Sequence, residues 1–126
     1  MSDAFELTWS SGNVFADLGL DDPDLLMTKA EIAIAITKVI RERGLTQASA
    51  ADELGCDQAK VSALIRGRLD AFSLQRLTVW ARRLGIDVRV SLAPTADPAG
   101  QGHMIVDHLE RPFAAATAPS QNVAFD

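Results

Sequence analysis

The apolar positions of this chain follow a helical period through residue 84 and a period of two after it. Ile32, Ala33, Ile36, Val39 and Ile40 stand at offsets 0, 1, 4, 7 and 8, which is one face of a helix. Asp22-Pro23 supplies its start, with Asp as N-cap and Pro at the first helical position, where no backbone donor is lost. Arg41 and Arg43 suit the negative end of the helix, and Gly44 is its stop. Lys29, Thr37, Lys38 and Arg41 lie off the stripe. Ile34 is apolar and also off it, so it needs a cover of its own, for which the N-terminal arm is a candidate.

Three shorter helices follow. Thr46 caps an alanine-rich run, Gln47 to Leu54, that ends at Gly55; Asp57 caps Gln58 to Arg66, which ends at Gly67. Ser73 caps Leu74 to Leu84, whose apolar residues Leu74, Leu77, Trp80, Ala81 and Leu84 form a single stripe before Gly85. Beyond it Ile86, Val88, Val90 and Leu92 alternate with Asp87, Arg89 and Ser91, the pattern of a half-buried strand halted by Pro94. The expectation is a mainly α domain of four to five helices with a short C-terminal β-strand. Phe5-Glu6-Leu7-Thr8-Trp9 alternates like a short N-terminal strand.

The ends differ from the middle. Residues 1–22 form an acidic arm studded with Phe5, Leu7, Trp9, Val14 and Phe15, residues 23–93 hold the helical domain, and 94–126 are rich in Ala, Pro, Gly, Ser and Gln. That last stretch has the composition of a mobile tail. One domain fits 126 residues, and a 48% hydrophobic content with only 6% aromatics favours packed helices over a β-sandwich. The single cysteine, Cys56, cannot form an internal disulfide, and neither a signal peptide nor a membrane span is visible. A cytoplasmic protein is expected.

Net charge is −5, which at first argues against nucleic acid. Its distribution reverses that inference. Residues 41–89 carry nine basic and six acidic side chains, a local +3, whereas the first 25 residues hold six acids and no base. Phosphate binding needs a basic face and does not need a basic chain. The acidic arm beside it suits a basic partner.

The chemistry concentrates between residues 44 and 67. Two helices of about eight residues meet at a tight turn on Gly55, Ala50 and Ala51 let them approach, and Leu54, Val61 and Leu64 fix their angle. This is a helix-turn-helix, with Thr46–Gly55 as first helix and Asp57–Arg66 as the recognition helix that enters the major groove by its N-terminus. Arg43-Gly44-Leu45-Thr46-Gln47, Ala51, Leu54-Gly55, Val61-Ser62-Ala63-Leu64 and Gly67 resemble the Cro/repressor-type (XRE) helix-turn-helix family. Gly12-Asn13-Val14-Phe15-Ala16-Asp17-Leu18-Gly19-Leu20, with Lys60-Val61-Ser62-Ala63-Leu64-Ile65-Arg66-Gly67-Arg68, looks like the HigA-type antitoxins. The likeness covers residues 12–93.

Contacts to DNA follow from side-chain chemistry. Gln47, at the first turn of its helix, can donate to a phosphate beside the positive helix end, a role the same position has in the family that the chain resembles. Asp57 and Gln58 open the recognition helix, and the Gln58 amide can pair bidentately with adenine N6 and N7. Ala59 and Ala63 suit thymine methyls, Lys60 a guanine edge or a phosphate, and Ser62, Arg66 and Arg68 the backbone. The family often has bulky polar residues where Ala59 and Ala63 stand, so base readout is thin and phosphates, DNA shape or a paired half-site must carry more.

Other candidates carry less. Cys56 sits at an inter-helix turn and reads as a structural thiol. Arg82 and Arg83 on the fourth helix read as solvated charges. His103, Asp107 and His108 have no spacing common to metal ligands, no cofactor motif is present, and no catalytic set points to an enzyme. One such domain covers half a DNA site, so a homodimer is expected, and the strand Ile86–Leu92 must pair with its symmetry mate, with Phe5–Trp9 or with a toxin's sheet. The antitoxin resemblance implies a RelE/HigB-like messenger-cleaving toxin as partner, with Phe5, Trp9 and Phe15 as anchors, and autorepression of the operon. The same anchors could instead cap the domain's own core. A solitary regulator of the same family is the alternative.

Overall fold

The computed structural model describes residues 18–19 and 21–108. Among them four helices form: α1 (Pro23–Glu42), α2 (Gln47–Leu54), α3 (Gln58–Ile65) and α4 (Leu74–Arg83), with one 3₁₀ turn, Leu69–Ala71, between the last two. Each α-helix starts on the side chain expected to cap it. Asp22, Thr46, Asp57 and Ser73 accept from the backbone N–H of Leu25, Ser49, Lys60 and Arg76 respectively. Thr46 and Ser49 do so reciprocally, the Thr46 N–H donating to Ser49 Oγ at 2.9 Å and the Ser49 N–H to Thr46 Oγ1 at 3.0 Å. The ends are as regular. Leu45, Cys56, Arg68 and Ile86 each donate a backbone N–H five residues back, to Ile40, Ala51, Ala63 and Ala81, closing the last turn over a glycine.

The core joins Ala33, Ile36 and Ile40 of α1, Ala50, Ala51 and Leu54 of α2, Val61 and Leu64 of α3, and Leu77, Trp80, Ala81 and Leu84 at α4. Helix α1 runs behind α4, while α2 lies on α3. Phe72, which no stripe predicts, is also buried, edge-on to Trp80 with ring centroids 5.1 Å apart. It occupies the position before the Ser73 cap, where an apolar residue packs down on the first turns of its helix. Thr37 is buried as well, although the stripe placed it outside, and its hydroxyl finds no partner among the described residues. Ile34 is half-buried.

The expected C-terminal strand is not seen among the described residues. Among the described residues Ile86–Leu92 belongs to no β-ladder, and Val90 and Leu92 project into solvent. Alternation marks a chain that can pair, but a ladder needs a second strand, and among the described residues none is supplied. The proposed strand Phe5–Trp9, the anchors Phe5, Trp9 and Phe15, and residues 109–126 lie outside the described residues.

Residues 95–108 return to the start of α1. The Asp97 N–H donates to Thr95 Oγ1 and the Ala99 N–H to Asp97 Oδ1, making a tight polar loop. His103 then lies between two carboxylates, Nδ1 3.0 Å from Asp24 and Nε2 2.8 Å from Asp97, while His108 Nε2 is 2.6 Å from Glu31. Both ring nitrogens of His103 face acceptors, so the doubly protonated ring satisfies both bonds. The carboxylates of Asp97 and Asp24 push its pKa up, and the bond from His103 holds that of Asp97 down.

Two predictions follow from this architecture. Gly55 closes α2 at φ +73°, and a Cβ there would stand 2.6 Å from Arg83 Nη1. Gly55→Ala therefore costs about 1–2 kcal/mol of unfolding free energy in urea titrations, with most of it persisting when Arg83 is also shortened. The second concerns pH. The contribution of the charged His103 bridge to the docking of 95–108 on α1 is fully present below the ordinary imidazole pKa and fades as pH rises through the elevated value of His103. On the acid side Asp97 keeps accepting from His103 until pH falls through its depressed value, a bond within the loop that steadies the ring without itself reaching α1. An NMR titration of the His103 ring shows the raised pKa, and Asp97→Asn brings it back towards the ordinary value.

Candidate nucleic-acid interface

Helix α3 is held by one side and offered by the other. Val61 and Leu64 are fully buried, so the opposite face carries Ala59, Ser62, Ala63 and Arg66, with Gln58 and Lys60 flanking it at the N-terminal end. Gln58, Ala59, Lys60 and Arg66 are exposed, Ser62 is half-buried, and Ala63 is half-buried against the core. The methyl of Ala59 is thus freer to meet a base than that of Ala63. Arg68 is exposed just beyond the helix, its N–H fixed on the Ala63 carbonyl at 3.0 Å.

The neighbouring helix end completes the surface. The Thr46–Ser49 box satisfies the third amide of α2 and leaves those of Gln47 and Ala48 outside the helix's own ladder. Gln47 is half-buried at the first position. Donors at a helix N-terminus, with the dipole behind them, suit a phosphate oxygen. Asp57 does the same for α3 by accepting the Lys60 N–H at 3.0 Å, and its other oxygen lies 3.7 Å from Lys60 Nζ. Its carboxylate is therefore committed within the protein, as cap and as leash on Lys60. Both groups are exposed, and such a pair is worth at most about 1 kcal/mol, so a phosphate can displace it.

Other charges serve the scaffold. Arg83 donates to the Leu54 carbonyl at 3.2 Å, bringing a cation to the negative end of α2 and tying it to α4. A solvated charge was expected there; the open carbonyls before Gly55 were the signal that a nearby arginine would find work. Arg43 pairs with Glu53 at 2.8 Å between α1 and α2. Arg76 lies over the Trp80 ring at 5.7 Å. Arg66, Arg68 and Arg82 are exposed. Cys56 is half-buried against the core, and burial, aided by Asp57, pushes its thiol pKa up, away from the reactive thiolate. Asp24 and Asp97 approach opposite ring nitrogens of His103, so they do not converge with it on one point. Among the described residues no three His, Cys, Asp or Glu side chains could hold a metal ion.

Known proteins match this arrangement. A family of helix-turn-helix domains matches residues 14–93. A solved structure assigned to the XRE family of transcriptional regulators superposes with a TM-score of 0.64 and 33% identity, over 70% of this chain and 99% of that one. No curated protein matches. No helix among the described residues is long and apolar enough to cross a membrane.

Asp57 offers a clean separation of its two roles. Asn caps a helix as well as Asp does, so Asp57→Asn changes unfolding free energy by less than about 0.5 kcal/mol. It also removes a negative charge from the exposed N-terminal end of α3 and frees Lys60. Affinity for duplex DNA rises about threefold at low salt, measured by fluorescence anisotropy, and the gain fades as salt is added.

Proposed function

Because the chain belongs to the XRE type of helix-turn-helix transcriptional regulators, we propose that it is a repressor that recognises a specific operator through α3 and works without a toxin partner. The observation that carries this is the joint exposure of Gln58, Ala59 and Lys60 at the first turn of a helix whose other face is buried. A groove-entering helix needs that combination: polar groups at the leading end and no freedom behind them. Gln47 at the start of α2, with Arg66 and Arg68 beyond α3, gives flanking phosphate contacts that set register. Gln58 then supplies most of the direct readout, Lys60 a guanine edge or a phosphate, and Ala59 a methyl contact. With so few base-reading groups, operator choice leans on DNA shape and on a second copy at a paired half-site.

The solitary reading is preferred to an antitoxin because the structural match is to a transcriptional regulator, while the arm with Phe5, Trp9 and Phe15 lies outside the described residues. Protection from a RelE/HigB-like toxin that disappears when residues 1–22 are deleted would move the assignment to antitoxin, with the DNA-binding role unchanged.

Titration of the native promoter and of a shuffled duplex tests the assignment. Gln58→Ala loses about tenfold in affinity for the promoter and less than about twofold for the shuffled duplex. Arg68→Ala weakens both alike and lowers the salt slope by about one. Equal losses on both duplexes for Gln58→Ala would remove the case for sequence reading by α3.

A further inference from the structure

Two histidines hold the chain beyond Pro94 against α1, and the carboxylates that receive them stand on one face of that helix. Asp24 and Glu31 are seven residues apart, two helical turns. His103 Nδ1 lies 3.0 Å from Asp24 Oδ2, the Met104 N–H donates to the same oxygen at 3.2 Å, and His108 Nε2 lies 2.6 Å from Glu31 Oε1. Little else fastens the segment. Of residues 101–108 only Val106 is half-buried; the others are exposed, Ile105 to 78%. A stretch with so little apolar burial is kept in place by its polar and charged bonds.

We propose that residues 101–108 form a proton-operated strap, closed along α1 while His103 carries two ring protons and opened when it loses one. The geometry decides which bond goes. A neutral ring has one N–H for two carboxylates. Asp97 is the nearer, at 2.8 Å, and belongs to the same loop, so the remaining proton stays on Nε2. Nδ1 then turns a lone pair to Asp24 Oδ2, and a bond becomes a repulsion between two acceptors. The contact that reaches α1 fails, while the loop keeps its own. His108 on Glu31, with Asp107 beside it in the chain, is then the last charged tie among the described residues, and the chain before it regains its backbone freedom.

Among the described residues the charged groups that face His103 are Asp97 from the loop and Asp24 from α1, and both raise its pKa. Its bond to α1 is therefore fully present below the ordinary imidazole pKa and lost as pH rises through the raised one. The helix face under the strap favours opening. Thr28 stands between the two clamps, four residues after Asp24 and three before Glu31. It is 5% exposed, and its hydroxyl finds no partner among the described residues. A buried hydroxyl without a bond disfavours the closed state, and lifting the strap that crosses this face lets water reach it. Clamp and hydroxyl oppose each other, which brings the balance within the reach of one proton. Opening uncovers an acidic face two turns long at the start of α1.

The strap goes beyond the repressor assignment and is tested without DNA, so failure of either leaves the other standing. Carbon-detected ¹⁵N relaxation of the full chain, which amide exchange does not blur, follows residues 101–108 from about pH 5.5 to about pH 8.5. At the acid end their heteronuclear NOE approaches that of α1. At the alkaline end it falls by about half or more, with the midpoint of the His103 ring titration. His103→Ala is mobile at both ends of the range. His103→Arg, whose charge does not titrate and whose fork can reach both carboxylates, stays ordered at both. His108→Ala shifts the midpoint of opening towards acid. The signals of the four helices stay in place in all three variants, because no strap residue belongs to the core. A strap equally ordered at both ends while the ring titrates, an ordered His103→Ala strap, or a His103→Arg strap that opens at the alkaline end would each overturn the proposal.

Discussion

Helix α3 is eight residues long, well below the length at which an isolated helix persists in water, so everything it does depends on what Val61 and Leu64 are pressed against. Their seat is made by small residues. Ala50 and Ala51 on α2 are buried and leave room for the α3 backbone to come close, and Leu54 fills the space beside the turn. A larger side chain at either alanine would push the reading helix outward, and a smaller one at Leu64 would leave it loose. The angle between α2 and α3 is therefore set by volume, while the caps at Thr46 and Asp57 fix where each helix begins. The rest of the domain, α1 and α4 with Phe72 and Trp80, closes that seat from behind.

Electrostatics divides the basic residues into two groups that net charge conceals. Arg43, Arg76 and Arg83 are engaged with Glu53, Trp80 and the Leu54 carbonyl, and they hold helices together. Arg66 and Arg68 remain exposed near the end of α3, and among the described residues Lys60 is tied only to Asp57. An exposed pair of that kind is cheap to exchange, so Lys60 is kept near the surface at little cost until a phosphate competes for it. The acidic balance of the whole chain resides largely elsewhere, in the first 25 residues, and does not cancel the local field at α3.

What was legible in the sequence was what depends on neighbours along the chain. Each helix boundary fell within a residue of its expected place because a capping side chain and a following glycine act over three to five positions, and the sequence displays both. The exposed face of α3 was legible for the same reason, although Ala63 turns partly inward. Long-range pairing was not. His103 meets Asp24 across 79 positions, and Arg83 meets Leu54 across 29, with no periodicity to announce either. The segment 86–92 failed in an instructive way: alternation correctly marked a chain fit for a ladder, but a ladder is a property of two strands, and the single chain supplies no second one among its described residues. Thr37 failed for a smaller reason, since a stripe has a width and a threonine at its edge can be drawn under.

Helix α4 connects these parts mechanically. It caps α2 through Arg83, carries Trp80 and Leu77 into the core, and hands the chain to Ile86 through a bond to Ala81, all within fewer than fifteen residues. No flexible linker separates α3 from the segment that follows α4. A repressor that reads two half-sites must hold its recognition helices about 34 Å apart, one turn of the duplex, and compliance between them would spread binding over many spacings. Under the proposed repressor role, Gln58, Ala59 and Lys60 offer few base contacts, so the spacing between two bound copies would be a second source of specificity.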